Sequence, residues 1–338
     1  MKNRITITDI AKLANVSKTT VSFYLNGKHE KMSDETRQRI ESAIEKTGYE
    51  PSIVARSLNF KQTRLLGVII GDITNAFANQ IVKGIEAFAR EAGYQLIVGS
   101  SGYDVEHERQ YLRSMNAMGV DGFIVQPTVE FRTMYNELGL DKPIVYFDSP
   151  NRDNQGMWVK TNNYEAVYDA CDMLVEKGYE RFVLITADPY ILSTRLERTR
   201  GLTDNLDLRK LPYDTIIADS EVTEEELTAK LEQIVENQRN VCVFVCNCWL
   251  LTKVFKVLSK WKNRIPNDLG LIGFDSLEWT ELASPTVTTI VQPAYEEGYM
   301  AGKLLIDRIE GRNEEVPNQI LKCWINEKES TEKKGEIE

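Results

Sequence analysis

Five polar residues stand where apolar runs of the chain end: Asp72, Gln126, Asp148, Asn247 and Asp275. Amides and carboxylates at such positions can grip the hydroxyls of a small molecule, because ligands of open parallel sheets bind beyond the carboxyl ends of the strands. Taken singly, each is better explained as a helix cap or a turn residue. As a set they point to a polar pocket between two lobes, able to clamp a small hydroxylated molecule. Bond-breaking chemistry has less to work with. The chain lacks GxGxxG, GxxxxGK[ST] and GxSxG, and its two histidines, His29 and His107, offer little general-base capacity. A sugar hydrolase or kinase using the strand-end carboxylates is the alternative from another class.

The stretch CVFVCNCW places Cys242, Cys246 and Cys248 on one face under the two-residue alternation of a strand. A metal site would need a fourth ligand and a loop that lets the thiolates converge, and neither histidine is near in sequence. Buried apolar thiols are expected, with no metal and no cofactor. Together with Cys171 and Cys323 the count is five, an odd number that favours reduced thiols.

A second constellation lies near the start, in NVSKTTVSFYLNG at 15–27. At 100° per residue, Val21 and Leu25 share one side of a helix with Tyr24 beside them, while Thr19, Ser22, Phe23 and Asn26 share the other. In a helix-turn-helix, the N-terminal half of such a helix enters the major groove. Lys18, Thr19 and Phe23 are then placed to meet base edges, and Ser17, Thr20, Ser22 and Asn26 to meet phosphates and fix the register.

These residues need elements to hold them. Thr6 and Asp9 have capping spacing before a short helix with Ile7, Ile10, Ala11 and Ala14 on one face. Ser17 caps the second helix, with Val16 and Val21 at hydrophobic-staple spacing. Ser33 caps a third, carrying Ile40, Ala43 and Ile44 and stopping at Gly48. After Pro51, residues 52–59 make about two helical turns, too short to persist alone. Two copies packed through Ala55 would present paired Leu58 side chains as a wedge in the minor groove.

From Leu65 onward, apolar β-rich runs alternate with 3.6-period segments. The strands expected are 65–70, 94–100, 120–127 and 143–149, then 181–187, 214–220, 241–247 and 269–275. Nearly continuous apolar strands separated by helices indicate two parallel sheets, an α/β body covered on both faces.

Charge divides along the same line. Residues 1–62 hold 11 Lys and Arg against 7 Asp and Glu, whereas the remainder holds 30 against 44. A basic head on an acidic body is expected where only the head meets a polyanion. No apolar run approaches the roughly 18 residues of a membrane span, and MKNRITITDI lacks the apolar stretch of a signal peptide, so the cytoplasm is the expected compartment. A sugar-binding transport component would carry a signal peptide and no basic head.

TITDIAKLANVSKTTVSFYLNG, SDETRQRIESAIEKTGYEPS and ARSL leading into LLGVII resemble the DNA-binding region of the LacI family of bacterial transcription regulators. The resemblance implies Lys18 and Thr19 as variable base readers, Thr6 as a backbone contact and Leu58 as the wedge. Phe23 departs from it, because the third base-reading position is usually an arginine. The likeness extends over the body and implies a two-lobed periplasmic-binding-protein-like core with a crossed hinge. GDITNAFANQIVKGIE resembles the first pocket loop, with Ala76 replacing the usual proline. RTRGL carries the spacing of an effector-binding arginine at Arg198. FVCNCW matches a strand end that usually reads Asn-Asp, retaining Asn247 and departing at Cys248. The implied effector set is Asp148, Arg198, Asn247 and Asp275, with Phe77 and Trp279 as apolar walls.

The organisation expected is 1–50 as helix-turn-helix, 51–63 as hinge, 64–330 as effector-binding and dimerisation core, and 331–338 as a disordered tail. The lobes would be 64–160 plus 292–323, and 161–291 plus 324–330. Such a chain is expected to be a homodimeric repressor or dual regulator of a near-palindromic double-stranded operator, controlled by a sugar or by a sugar acid held by the Arg198 fork. The charged tail has no leucine heptad and indicates no tetramer-forming helix.

Overall fold

Caps set out the head. In the computed structural model, which describes residues 5–25, 27–49, 62–149, 156–275, 278–312 and 318–333, helix α1 spans Ile7–Leu13. The Asp9 carboxylate accepts from the Thr6 backbone N–H at 2.9 Å and the Thr6 hydroxyl at 2.7 Å. These bonds hold the Asp9 carboxyl below its ordinary range. The chain turns through Asn15, whose φ of 52° is left-handed, a conformation asparagine tolerates. Helix α2 spans Lys18–Leu25, and Ser17 Oγ accepts from the Thr20 N–H at 3.0 Å. Helix α3 spans Asp34–Thr47, capped by Ser33 and ended by left-handed Gly48. Ile10, Val21 and Ile40 are completely buried where the three helices meet, with Val16 and Ile44 packed against them. Each such side chain contributes about 1.5–3 kcal/mol, so three fix a small domain.

The chain divides into two units, Met1–Thr63 and Arg64–Glu338. The second opens with β1 (Leu65–Ile70), α4 (Ala76–Glu91), β2 (Gln95–Ser100), α5 (Val105–Ala117), β3 (Gly122–Val125), α6 (Phe131–Glu137), β4 (Ile144–Phe147) and β5 (Met157–Thr161). It continues through α7 (Asn163–Glu176), β6 (Arg181–Thr186), α8 (Ser193–Arg209), β7 (Tyr213–Ile217), α9 (Glu224–Val235), β8 (Val241–Val245), α10 (Cys248–Leu258), β9 (Leu269–Phe274), α11 (Glu278–Leu282) and β10 (Thr288–Val291). Helix α12 (Ala294–Ile309) and strands β11 (Gln319–Leu321) and β12 (Trp324–Asn326) follow.

Two six-stranded sheets result, in the orders β11-β5-β4-β3-β1-β2 and β12-β10-β9-β8-β6-β7. The first is parallel throughout; in the second only β12 runs antiparallel, against β10. Each sheet carries a buried apolar cluster on either face, which is why the run VCVFV of β8 is buried at every residue. Among the described residues the chain passes between the sheets at 161–163, 291–294 and 321–324. Helix α12 thereby returns to the first lobe and packs on α4. The contact is close enough that a Cβ on Gly84 would sit 2.0 Å from Tyr295 O, and one on Gly298 2.0 Å from Ile81 O.

All eight expected strands form, several shorter by a few residues. Strands β5, β10, β11 and β12 were not anticipated. The last two have three residues each, too few to show a period. The expected disordered tail begins too early. Ser330 and Thr331 are buried, Ser330 Oγ donates to Leu271 O at 2.5 Å, and Lys333 Nζ donates to Gly178 O at 2.6 Å. These bonds tie residues 330–333 to the second sheet.

Candidate functional site

On the head, Ser17, Lys18 and Thr19 are exposed, while Thr20, Ser22 and Phe23 are half-buried. Phe23 lies outside the head core, with Lys31 Nζ 4.9 Å from its ring centroid. One lysine thus sits over the aromatic face in the second turn of α2. Two hydroxyls are already engaged: Ser17 Oγ and Thr20 Oγ1 are 2.8 Å apart, and the Thr6 hydroxyl donates to Asp9. Asn26, Ala55 and Leu58 lie outside the described residues.

In the body, the ends of β3, β4, β8 and β9 bring Gln126, Asp148, Asn247 and Asp275 to one narrow cleft between the lobes, open to solvent. Asp72 does not join them; its carboxylate accepts from the Thr74 N–H and hydroxyl at 2.8 Å. Asp148 and Asp275 turn out of their strands with left-handed φ of 61° and 65°. Gln126 accepts from the Gly71 N–H at 3.0 Å and donates to Asp148 Oδ2 at 2.6 Å. Gln292 donates to Asp275 Oδ1 at 3.0 Å. Asn247 Oδ1 accepts from the Ala187 N–H at 2.8 Å. Burial raises the carboxyls of Asp148 and Asp275, against the pull of the Arg198 charge.

Arg198 lines the cleft from α8, but its fork is largely committed to the protein. Nε donates to Asn163 Oδ1 at 2.6 Å, one terminal nitrogen to Cys246 O at 2.9 Å and the other to Gln292 Oε1 at 2.9 Å. Its guanidinium lies 3.9 Å from the Phe274 ring centroid. Three of five N–H donors are used, so the residue ties α8 to β8 and β10 and keeps at most two donors for a ligand. The full planar fork expected for a carboxylate is therefore not on offer.

Phe77 lines the cleft, held by the Asn75 side chain accepting from its N–H at 3.0 Å. Trp279 does not. Its ring packs 5.1 Å from Phe255 against the core of the second lobe. Trp249, at the start of α10, is the tryptophan that reaches the cleft. Sequence reasoning also missed Tyr103, Thr194, Arg195 and Gln292. Tyr103 lies three residues past β2, within reach of the strand-end rule, whereas Gln292 follows β10, a strand that the sequence pattern does not announce. Burial pushes the Tyr103 hydroxyl up to about 12.

The lobes touch across the cleft. Cys248 Sγ donates to Asn75 Oδ1 at 3.4 Å, the Ser149 and Thr194 hydroxyls are 3.2 Å apart, and Lys160 pairs with Glu197 at 2.5 Å. Cys242 and Cys246 are buried in the apolar cluster of the second sheet, and burial pushes the Cys246 thiol up to about 12. Cys248, which the strand alternation placed with them, instead opens α10.

The chain matches the family described as "Bacterial regulatory proteins, lacI family" over residues 6–52, and a "Periplasmic binding protein-like domain" over residues 171–331. It is 30% identical over 312 residues to the HTH-type transcriptional regulator KdgR of Bacillus subtilis (strain 168), covering 90% of this chain and 91% of that one. Its fold is similar to the crystal structure of the lac repressor dimer bound to operator and the anti-inducer ONPF, with a TM-score of 0.85 at 21% identity over 97% of this chain and 99% of that one. A periplasmic binding protein/LacI transcriptional regulator from Alkaliphilus metalliredigens QYMF, complexed with D-xylulofuranose, matches with a TM-score of 0.68 at 28% identity, over 79% of this chain and 99% of that one. With a helix-turn-helix head, a two-lobed α/β body and this likeness along its length, the chain belongs to the lacI family of bacterial regulatory proteins, DNA-binding transcriptional regulators rather than enzymes.

Proposed function

We propose that this regulator is a homodimeric repressor whose two heads read the halves of a near-palindromic operator in the cytoplasm, under the control of a sugar or sugar acid bound between the lobes. The observation that carries the reading is the cleft itself, where buried amides and carboxylates converge from four strand ends of two lobes in mutual contact. Acceptors of this kind suit hydroxyls, and Phe77 and Trp249 offer apolar faces for sugar carbons. The relative that carries D-xylulofuranose supports the ligand class. Among the described residues no helix is long and apolar enough to cross a membrane.

The mechanism is linkage. A ligand that touches both lobes favours their closed arrangement, and any difference in operator affinity between arrangements then couples the sites. Reciprocity requires operator DNA to change sugar affinity by the same factor that sugar changes operator affinity. The test is fluorescence anisotropy of the full chain on fragments from upstream of its own gene, across a salt series, with and without a sugar panel. Affinity should fall steeply as salt rises and shift with one panel member. Attachment indifferent to salt, to sequence and to every sugar would overturn the proposal.

A further inference from the structure

Arg195 stands one turn before Arg198 on α8, lines the same cleft and is 8% exposed. Unlike Arg198, it is barely held by the protein. Its one side-chain hydrogen bond among the described residues runs to Asp188 O at 3.5 Å, at the outer limit for such a bond, and its guanidinium lies 5.2 Å from the Tyr103 ring centroid. No described carboxylate forms an ion pair with it; Asp148 and Asp188 act on it only from longer range. A buried cation without a counter-ion is unfavourable, and burial accordingly lowers the Arg195 pKa. The start of α8 adds to the same field. Leu192, at the cap position, supplies no side-chain oxygen to the first-turn N–H groups of this 17-residue helix, so its positive end also faces the cleft.

We propose that Arg195, with the first turn of α8, holds the carboxylate or phosphate group of an anionic sugar and so selects acidic over neutral effectors. The inference rests on the cleft being the effector site. It divides the ligand between two chemistries: Asp148 and Asp275 accept its hydroxyls, and Arg195 takes its charge. Arg198 keeps the walls in register.

The test uses the full chain, titrated calorimetrically with D-glucose, D-gluconate and D-glucose 6-phosphate, and with D-galactose and D-galacturonate. Wild type, Arg195→Gln and Arg195→Lys are compared, and ligand-free melting and operator binding are measured on each. At least one acidic sugar should bind tenfold or more tighter than its neutral parent. Arg195→Gln should remove about 10- to 100-fold of that affinity, with the neutral parent within twofold and Arg195→Lys retaining part of it. Whether the carboxylate or the phosphate members carry the advantage identifies the anion. Ligand-free Arg195→Gln should melt at the same temperature as wild type or higher, because it removes an uncompensated charge.

The inference is overturned if no acidic sugar outbinds its neutral parent, if Arg195→Gln leaves the preference intact, or if the ligand-free variant melts lower, as a merely structural arginine would require. Operator binding that survives alongside any of these results leaves the proposed regulator standing. Its absence in wild type defeats that reading separately.

Discussion

Replacing Glu297 by glutamine should stabilise the body near neutral pH, although the residue is completely buried and hydrogen-bonded. Glu297 projects from α12 beneath the cleft, where its Oε1 accepts the Asp148 backbone N–H at 2.7 Å; its Oε2 meets no described partner. Burial raises the carboxyl well above its ordinary value of 4.5, the nearby Asp148 and Asp275 carboxyls raise it further, and the Asp148 N–H and the Arg198 charge oppose the rise. A folded pKa above the unfolded one means that the folded state holds a proton which the unfolded state releases. The stabilisation is complete below about pH 4.5 and is lost as pH rises toward the folded pKa. Over that window, keeping the proton costs the folded state about 1.4 kcal/mol per pH unit. Glutamine preserves the acceptor for Asp148 and titrates nowhere. Its amide carries two N–H donors where the neutral acid has one O–H, a pH-independent cost that offsets part of the gain at every pH and leaves the pH trend as the diagnostic. Urea unfolding of wild type and Glu297→Gln at pH 5, 6 and 6.5, at one protein concentration, should show the variant gaining on wild type as pH rises, by at most about 1.4 kcal/mol per pH unit. The gain should shrink steadily toward pH 5. A difference between the two proteins that does not change with pH would refute the argument, because it would mean that Glu297 is ionised and compensated in the fold.

Lys18→Ala and Thr19→Ala should each relax preference at one base pair by about 1–3 kcal/mol in binding-site selection, while a non-reading helix would lose affinity uniformly or not at all. Phe23→Arg should shift the base selected at its position from one favouring apolar contact with a thymine methyl to guanine; an unchanged profile removes Phe23 from the reading set. Trp249→Ala should weaken effector binding measured by calorimetry, whereas Trp279→Ala should lower the melting temperature and leave effector affinity nearly unchanged, since its ring packs on Phe255. Reversal of those two outcomes would return Trp279 to the cleft.

The parts of this molecule that could be read in advance are those fixed by local chemistry. Thr6, Ser17, Ser33 and Gly48 mark helix ends because caps act over three or four residues, and the structure places them at those ends. The long strands were legible because sheets covered on both faces demand continuous apolar runs, and the strand-end rule then located Gln126, Asp148, Asn247 and Asp275. What resisted reading depends on tertiary direction. Whether Trp279 faces the cleft or Phe255 turns on the orientation of the five-residue helix α11, which no periodicity encodes. How many Arg198 donors remain for a ligand depends on Asn163 and Gln292, brought from 35 and 94 residues away. Nothing in RTRGL announces those partners.

The same connections bear on how a ligand in the cleft is felt elsewhere in the body. Asp148 belongs to the first lobe but is fixed by Glu297 on α12, the helix that enters that lobe directly after the hinge crossing at 291–294. Helix α12 is locked to α4 by the Gly84 and Gly298 contacts, and α4 begins at Asn75 and Phe77 on the cleft wall. A ligand hydroxyl held at Asp148 would therefore pull on a closed loop of contacts, from cleft to hinge helix to α4 and back to the cleft. Among the described residues, the second lobe meets the first across the cleft through a thiol–amide pair, a hydroxyl pair, a lysine–glutamate pair and the Arg195 guanidinium beside the Tyr103 ring. A ligand that bridges both walls would shift the balance between lobe arrangements by its differential affinity for them. A first lobe that moves as one body with its hinge helix can transmit that shift; a lobe that deformed locally around each hydroxyl would dissipate it.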